Sequence, residues 1–172
     1  MRGPTMDMTN TTFDELTVGD GIEVSRLVTA RDVELFAVVS GDHNPLHLDP
    51  EYAATTQFGE CIGHGMLIGA FVSAVIGLEL PGPGTVYLGQ NLEFRAPIFL
   101  GDTLTIGLTV TEKHPRKPWL TMGLSVKNQD SKEVCRGESR VIAHTEKQTV
   151  AGVAAPAVEL LEHDTPRPKR RP

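Results

Sequence analysis

The chain has 172 residues, enough for one domain with a full hydrophobic core, and its 40% hydrophobic and 22% charged composition is globular rather than disordered. A net charge of −6 argues against a general nucleic-acid binder, which needs clustered Lys and Arg to neutralise phosphates. Two cysteines, Cys61 and Cys135, make no disulfide framework, and the N-terminal stretch MRGPTMDMTNTTFDEL is acidic with no apolar run, so neither a signal nor a transit peptide is expected and the predicted location is cytoplasmic.

In chain order, Gly21 to Leu27 alternates through Ile22 and Val24 and predicts a first strand. Thr29 is placed to cap a helix, with Asp32 in its first turn and Val33, Phe36 and Ala37 at helical spacing. That helix should end near Ser40-Gly41, where the turn residues Gly41, Asp42, Asn44 and Pro45 accumulate. Asp49 followed by Pro50 and Glu51 starts a second, brief helix. Gly63 to Glu79 is apolar on nearly every face, the mark of a helix wrapped by other structure. The uncharged run that overlaps it, Ile62 to Leu78, stops short of the roughly 18 residues of a membrane span and contains His64 and four glycines. No membrane partner is expected.

Pro81-Gly82-Pro83-Gly84 breaks the chain, and four strand-like runs follow: Thr85 to Arg95, Thr103 to Thr111, Leu120 to Lys127 and Glu133 to Ile142. One buried helix followed by an antiparallel meander predicts an α+β fold, with a curled sheet folded round the helix. The domain is expected to span residues 13–145, with residues 1–12 a flexible leader. Residues 146–172 read as a solvated, Pro-rich tail, with a short helical piece from Ala157 to Glu162 and a basic end at Lys169, Arg170 and Arg171.

The densest reactive cluster is Ser40-Gly41-Asp42-His43-Asn44-Pro45-Leu46-His47-Leu48-Asp49. Pro45 fixes its own φ and steers Asn44 away from helix, so Asp42 and His47 sit on a shaped loop. A carboxylate and an imidazole brought together can hold a water and move its protons, although such pairs also cap helices and satisfy turns. A second feature is His64-Gly65-Met66 at the start of the apolar helix. The first N–H groups of a helix lack partners, and glycine lets a ligand carbonyl approach them; a tight packed turn is the plainer reading. Ser73, polar within the apolar helix, either bonds back to Gly69 C=O or supports a buried polar site. His43, His47, Cys61 and His64 also offer zinc-type ligands, but Pro45 breaks the helical i, i+4 geometry and the spacing is loose, so no metal is expected. Cys61 has no evident base for a nucleophilic role.

The blocks SGDHNPLHLDPEYA, FGECIGHGMLIGAFVSAV and PGPGTVYLGQNLEFRAPIFLGD closely resemble the MaoC-like (R)-specific enoyl-CoA hydratases, over residues 13–143. The resemblance implies a hot-dog fold, with a long central helix in an antiparallel sheet and an overhanging loop-helix segment. It implies a homodimer with sites near the subunit interface, and reversible hydration of trans-2-enoyl-CoA to (R)-3-hydroxyacyl-CoA without metal or organic cofactor, coenzyme A being part of the substrate. By the same resemblance Asp42 and His47 are the catalytic pair, Gly65 N–H meets the thioester carbonyl, Ser73 lies close to the pair and Asn44 braces the loop. Alternatives kept beside this are a dehydratase for acyl carrier protein or for branched or dicarboxylic acyl-CoA, and a non-catalytic acyl-thioester binder. Arg116 and Lys117 in HPRKP are read as solvating a turn, with carrier or nucleotide phosphates as the other options. Phe71 and Ile76 are the residues picked, at helical spacing, to line an acyl tunnel.

Overall fold

The computed structural model describes residues 6–160. Strand β1 (Met8–Thr9) precedes β2 (Gly21–Leu27), and four helices follow: α1 (Ala30–Ser40), α2 (Pro45–Leu48), α3 (Pro50–Ala53) and α4 (Gly65–Leu78). The chain then runs through β3 (Val86–Phe94), β4 (Thr103–Lys113), β5 (Trp119–Lys127), β6 (Glu133–Ile142) and the short β7 (Thr149–Val150).

Five strands form one antiparallel sheet in the order β2-β4-β5-β6-β3, which leaves β2 and β3 as its edges. Alternation decides which face is buried. Leu104, Ile106, Leu108 and Val110 on β4 point inward, as do Leu120, Met122, Leu124 and Val126 on β5. Against them lies the buried stripe of α4: Leu67, Ile68, Phe71, Val72, Val75 and Ile76. The sheet thus wraps one side of α4, and Met66, Ala70, Ser73 and Ala74 on the opposite side of the helix are exposed. No helix among the described residues is long and apolar enough to cross a membrane.

Local chemistry accounts for α1. Thr29 accepts a hydrogen bond from Asp32 N, and the Asp32 carboxylate accepts from Thr29 N, a reciprocal capping box. At the other end Gly41 takes φ 75°, a left-handed turn that glycine enters without a Cβ penalty, and its N–H closes on Ala37 O. Asp49 caps α3 by accepting from Glu51 N and Tyr52 N, with Pro50 in the first helical position.

The structure differs from the expected boundaries at both ends. Met8 pairs with Val150 and Thr9 with Thr149, so β1 and β7 form a two-stranded ribbon. Asn10 is buried, donates to Glu146 O and accepts from Gln148 N. Residues 6–12 and 146–150 are therefore parts of the folded unit, not a free leader and tail, because each satisfies the other's backbone. Residues 157–160 carry no helix; the remainder of that predicted piece and the basic end at Lys169 to Arg171 lie outside the described residues.

Candidate active site

The loop after Gly41 is built from short side-chain bonds. Ser40 Oγ accepts from Asp42 N at 3.1 Å, and Asp42 Oδ1 accepts from Asn44 N at 3.2 Å. Asn44 Oδ1 in turn accepts from Leu46 N at 3.1 Å and caps α2, whose first residue is Pro45. This single helical turn was not foreseen in the loop, and it is what orients His47. His47 Nδ1 lies 2.7 Å from Ile62 O. A carbonyl only accepts, so Nδ1 carries the hydrogen and Nε2 of the neutral ring keeps its lone pair.

His64 meets both residues from below. It is buried, its Nε2 lies 3.0 Å from the backbone oxygen of Asp42, and the same nitrogen is 3.9 Å from Asp42 Oδ2. Its ring stacks on His47 with centroids 3.8 Å apart and touches Phe36 of α1 at 4.9 Å. Asp42, His47 and His64 each offer a ligand-type atom within 4.8 Å of the others. The Asp42 carboxylate itself is half exposed. A carboxylate open to water thus sits in one cluster with two imidazole rings.

The start of α4 adjoins this cluster, because His64 is its N-cap. No side chain caps the helix, and the first backbone bond runs from Leu67 N to His64 O at 3.0 Å. Among the described residues the N–H groups of Gly65 and Met66 donate to no backbone carbonyl. Such groups carry the positive end of the helix dipole and suit a developing oxyanion. Gly65 has a packing role as well: a Cβ there would sit 3.2 Å from the Phe94 ring.

Other residues singled out in the sequence are placed elsewhere or differently. Ser73 is on the exposed side of α4, and no hydrogen bond joins it to Gly69, Asp42 or His47. His43 is exposed, and neither it nor Cys61 joins the cluster of Asp42 with His47 and His64, so the four-ligand zinc set is not assembled. Burial, with the carboxylates of Asp49 and Glu60 nearby, raises the Cys61 thiol above its ordinary range, against a thiolate nucleophile. Lys117 stands 4.1 Å above the Trp119 ring on the β4–β5 hairpin. Ile76 is fully buried, whereas Phe71 lines a cleft of about 430 Å³ between β2 and α4 with Val24, Ala74 and Leu78. A separate cavity of about 810 Å³ lies against the outer sheet face among Glu23, Gly107 and Arg136, away from all of these groups.

His64 is the member of the cluster that sequence reasoning did not assign to this chemistry. The signal for it was modest: a histidine at a helix N-cap where Ser, Thr, Asp or Asn would be usual.

Comparison with known proteins places the chain in a family. Residues 17–132 match the model of the MaoC-like domain. An (R)-specific enoyl-CoA hydratase of Rhodospirillum rubrum is 40% identical over 130 residues, covering 76% of this chain and 90% of that protein. One of Aeromonas caviae is 42% identical over 126 residues, covering 73% and 94% respectively. Among solved structures, R-hydratase PhaJ1 of Pseudomonas aeruginosa in its unliganded form superposes with a TM-score of 0.87 at 48% identity, covering 90% of this chain and 99% of that one. The α+β hot-dog architecture expected from the resemblance is the fold of the chain.

Proposed function

The chain belongs to the MaoC-like domain family, and from that premise we propose that it is an (R)-specific enoyl-CoA hydratase, a hydro-lyase adding water reversibly to trans-2-enoyl-CoA to give (R)-3-hydroxyacyl-CoA. The observation that carries the reading is the clustering of the Asp42 carboxylate and the His47 imidazole at His64, the residue after which α4 opens with N–H groups that donate to no backbone carbonyl.

Hydration of a conjugated thioester needs a base for water, an acid for carbon and donors for the carbonyl oxygen. Water held between Asp42 and His47 gives one proton to the pair as its oxygen bonds to Cβ. The pair returns one proton to Cα, and the negative charge that gathers on the thioester oxygen meanwhile meets Gly65 N–H. Asp42 and His47 act as one proton-sharing unit, so their titration belongs to both. Water is the only co-reactant and coenzyme A is carried by the substrate, so the scheme calls on no cofactor and no metal. Asn44 supports it by capping the turn that bears His47.

A homodimer fits the same reading. Strand β3 is an open sheet edge and exposes Val86, Leu88 and Phe94, which a second copy would cover. Light scattering on the eluted protein should give twice the chain mass.

Activity is tested by following the conjugated-thioester absorbance of crotonyl-CoA after adding purified protein, with chiral analysis of the product. Loss of the band with the (R) product supports the proposal. An unchanged band with crotonyl-CoA and with longer trans-2-enoyl-CoAs overturns it. Asp42→Asn should lower kcat by about 10² to 10⁴ while leaving the circular dichroism spectrum unchanged, and a wild-type rate in that variant removes Asp42 from the mechanism.

A further inference from the structure

His64 is buried at 2% exposure, and its Nδ1 has no hydrogen-bond partner. A buried polar atom without a partner is costly, so its retention asks for an explanation. The explanation lies in what the ring does with its other nitrogen and its two faces.

We propose that His64 is a positioning residue: an imidazole whose Nε2–H holds Asp42 by its backbone and whose ring backs that of His47. The proposal rests on the hydratase reading for its kinetic consequence, but not for the state of the ring. Nε2 lies 3.0 Å from Asp42 O, and that oxygen accepts only, so the proton sits on Nε2. The ring lies at the N-cap of α4, with its centroid 3.8 Å from that of His47 and 4.9 Å from that of Phe36. The one carboxylate near the ring is that of Asp42, at 3.9 Å from Nε2 and half exposed to water.

The consequence is geometric. Gly41 and Asp42 follow a helix end with no regular structure to hold them, and Asp42 N is bonded only to the exposed Ser40 hydroxyl. The His64 bond ties that backbone to the start of α4, the element that also presents Gly65 N–H. The His64 ring also lies against that of His47, with centroids 3.8 Å apart and planes tilted by 32°, and limits its rotation.

Two substitutions separate the contacts. His64→Phe keeps a flat ring but removes the donor, and His64→Gln restores an N–H at the position of Nε2. His64→Phe should lower kcat on crotonyl-CoA about 10²-fold, as misplacement of a reacting group does, with KM within about threefold of wild type. His64→Gln should recover at least about tenfold of that loss. Long-range ¹H–¹⁵N spectra of the wild type at pH 8 should show His64 with its proton on Nε2. Equal rates for His64→Phe and wild type, equal losses in the two variants, a loss confined to KM, or a His64 ring with its proton on Nδ1 would each overturn the proposal. If His64→Phe fails to fold, the His64→Gln rate and the wild-type spectrum still decide. If the wild type hydrates no enoyl-CoA, the hydratase reading fails, while the spectrum judges the ring state on its own.

Discussion

Asparagine is the informative replacement for His47, because its amide nitrogen reproduces Nδ1 and can still donate to Ile62 O while Nε2 disappears. His47→Asn should therefore fold normally and lose about 10² to 10⁴ in kcat, and steady-state rates beside a thermal melt check both halves. Gly65 does not offer so clean a test. Its substitution by alanine presses on Phe94 as well as on the approach to the helix N–H, so a loss of rate there would have two causes. The Asp42 and His47 signal was legible because turn residues crowd round them within ten positions. The part played by His64 was not, since its burial is set by Phe36 on α1, and by the return of α4 beneath the loop, both distant in the sequence.

Among the elements, α1 was legible from its caps alone, and the caps should carry measurable stability. Thr29→Ala removes a side-chain acceptor for Asp32 N and leaves the Asp32 carboxylate without its hydroxyl partner. The expected cost is about 1 kcal/mol, read as a shift in the urea midpoint at unchanged slope. In the core, Met122 is fully buried on β5 between α4 and the sheet, and Met122→Ala should cost about 2 to 5 kcal/mol without altering KM. The strands read from alternation fall within two residues of those observed. Strand β4 runs on to Lys113 because, past an irregularity after Val110, Glu112 and Lys113 still pair with Thr121 and Leu120 of β5, and the Lys113 ammonium also donates to Phe13 O and Leu16 O, ties that no local pattern announces. Helix α2 escaped for a different reason: four residues are too few for periodicity, and its Asn44-Pro45 start is also a turn signal.

At the scale of the molecule, the ribbon of β1 and β7 and the ion pair beside it decide how the two ends of the domain stay together. Lys147 Nζ lies 2.8 Å from Glu15 Oε2, and with the Thr12 N–H it brings the Glu15 carboxyl down to about 2 from an ordinary 4.5. A carboxyl lowered in the folded state lends stability above its unfolded value, and that contribution fades as pH falls from 4.5 towards 2. Melting temperatures of wild type and Lys147→Ala should therefore converge as the pH drops through that window, and remain apart at pH 7. Added salt should narrow the difference at pH 7, since both groups face water. This tie joins residues 132 positions apart in sequence, which is why composition alone gave the segments on either side as a leader and a tail.

The adjacency of His64 and Gly65 has a consequence for motion. On the proposed mechanism, one residue holds the backbone of Asp42 and the next offers its N–H to the thioester oxygen. A tilt of α4 against the sheet would then carry the loop anchor and the oxyanion donor together, so that their spacing depends on one helix end rather than on two separate elements.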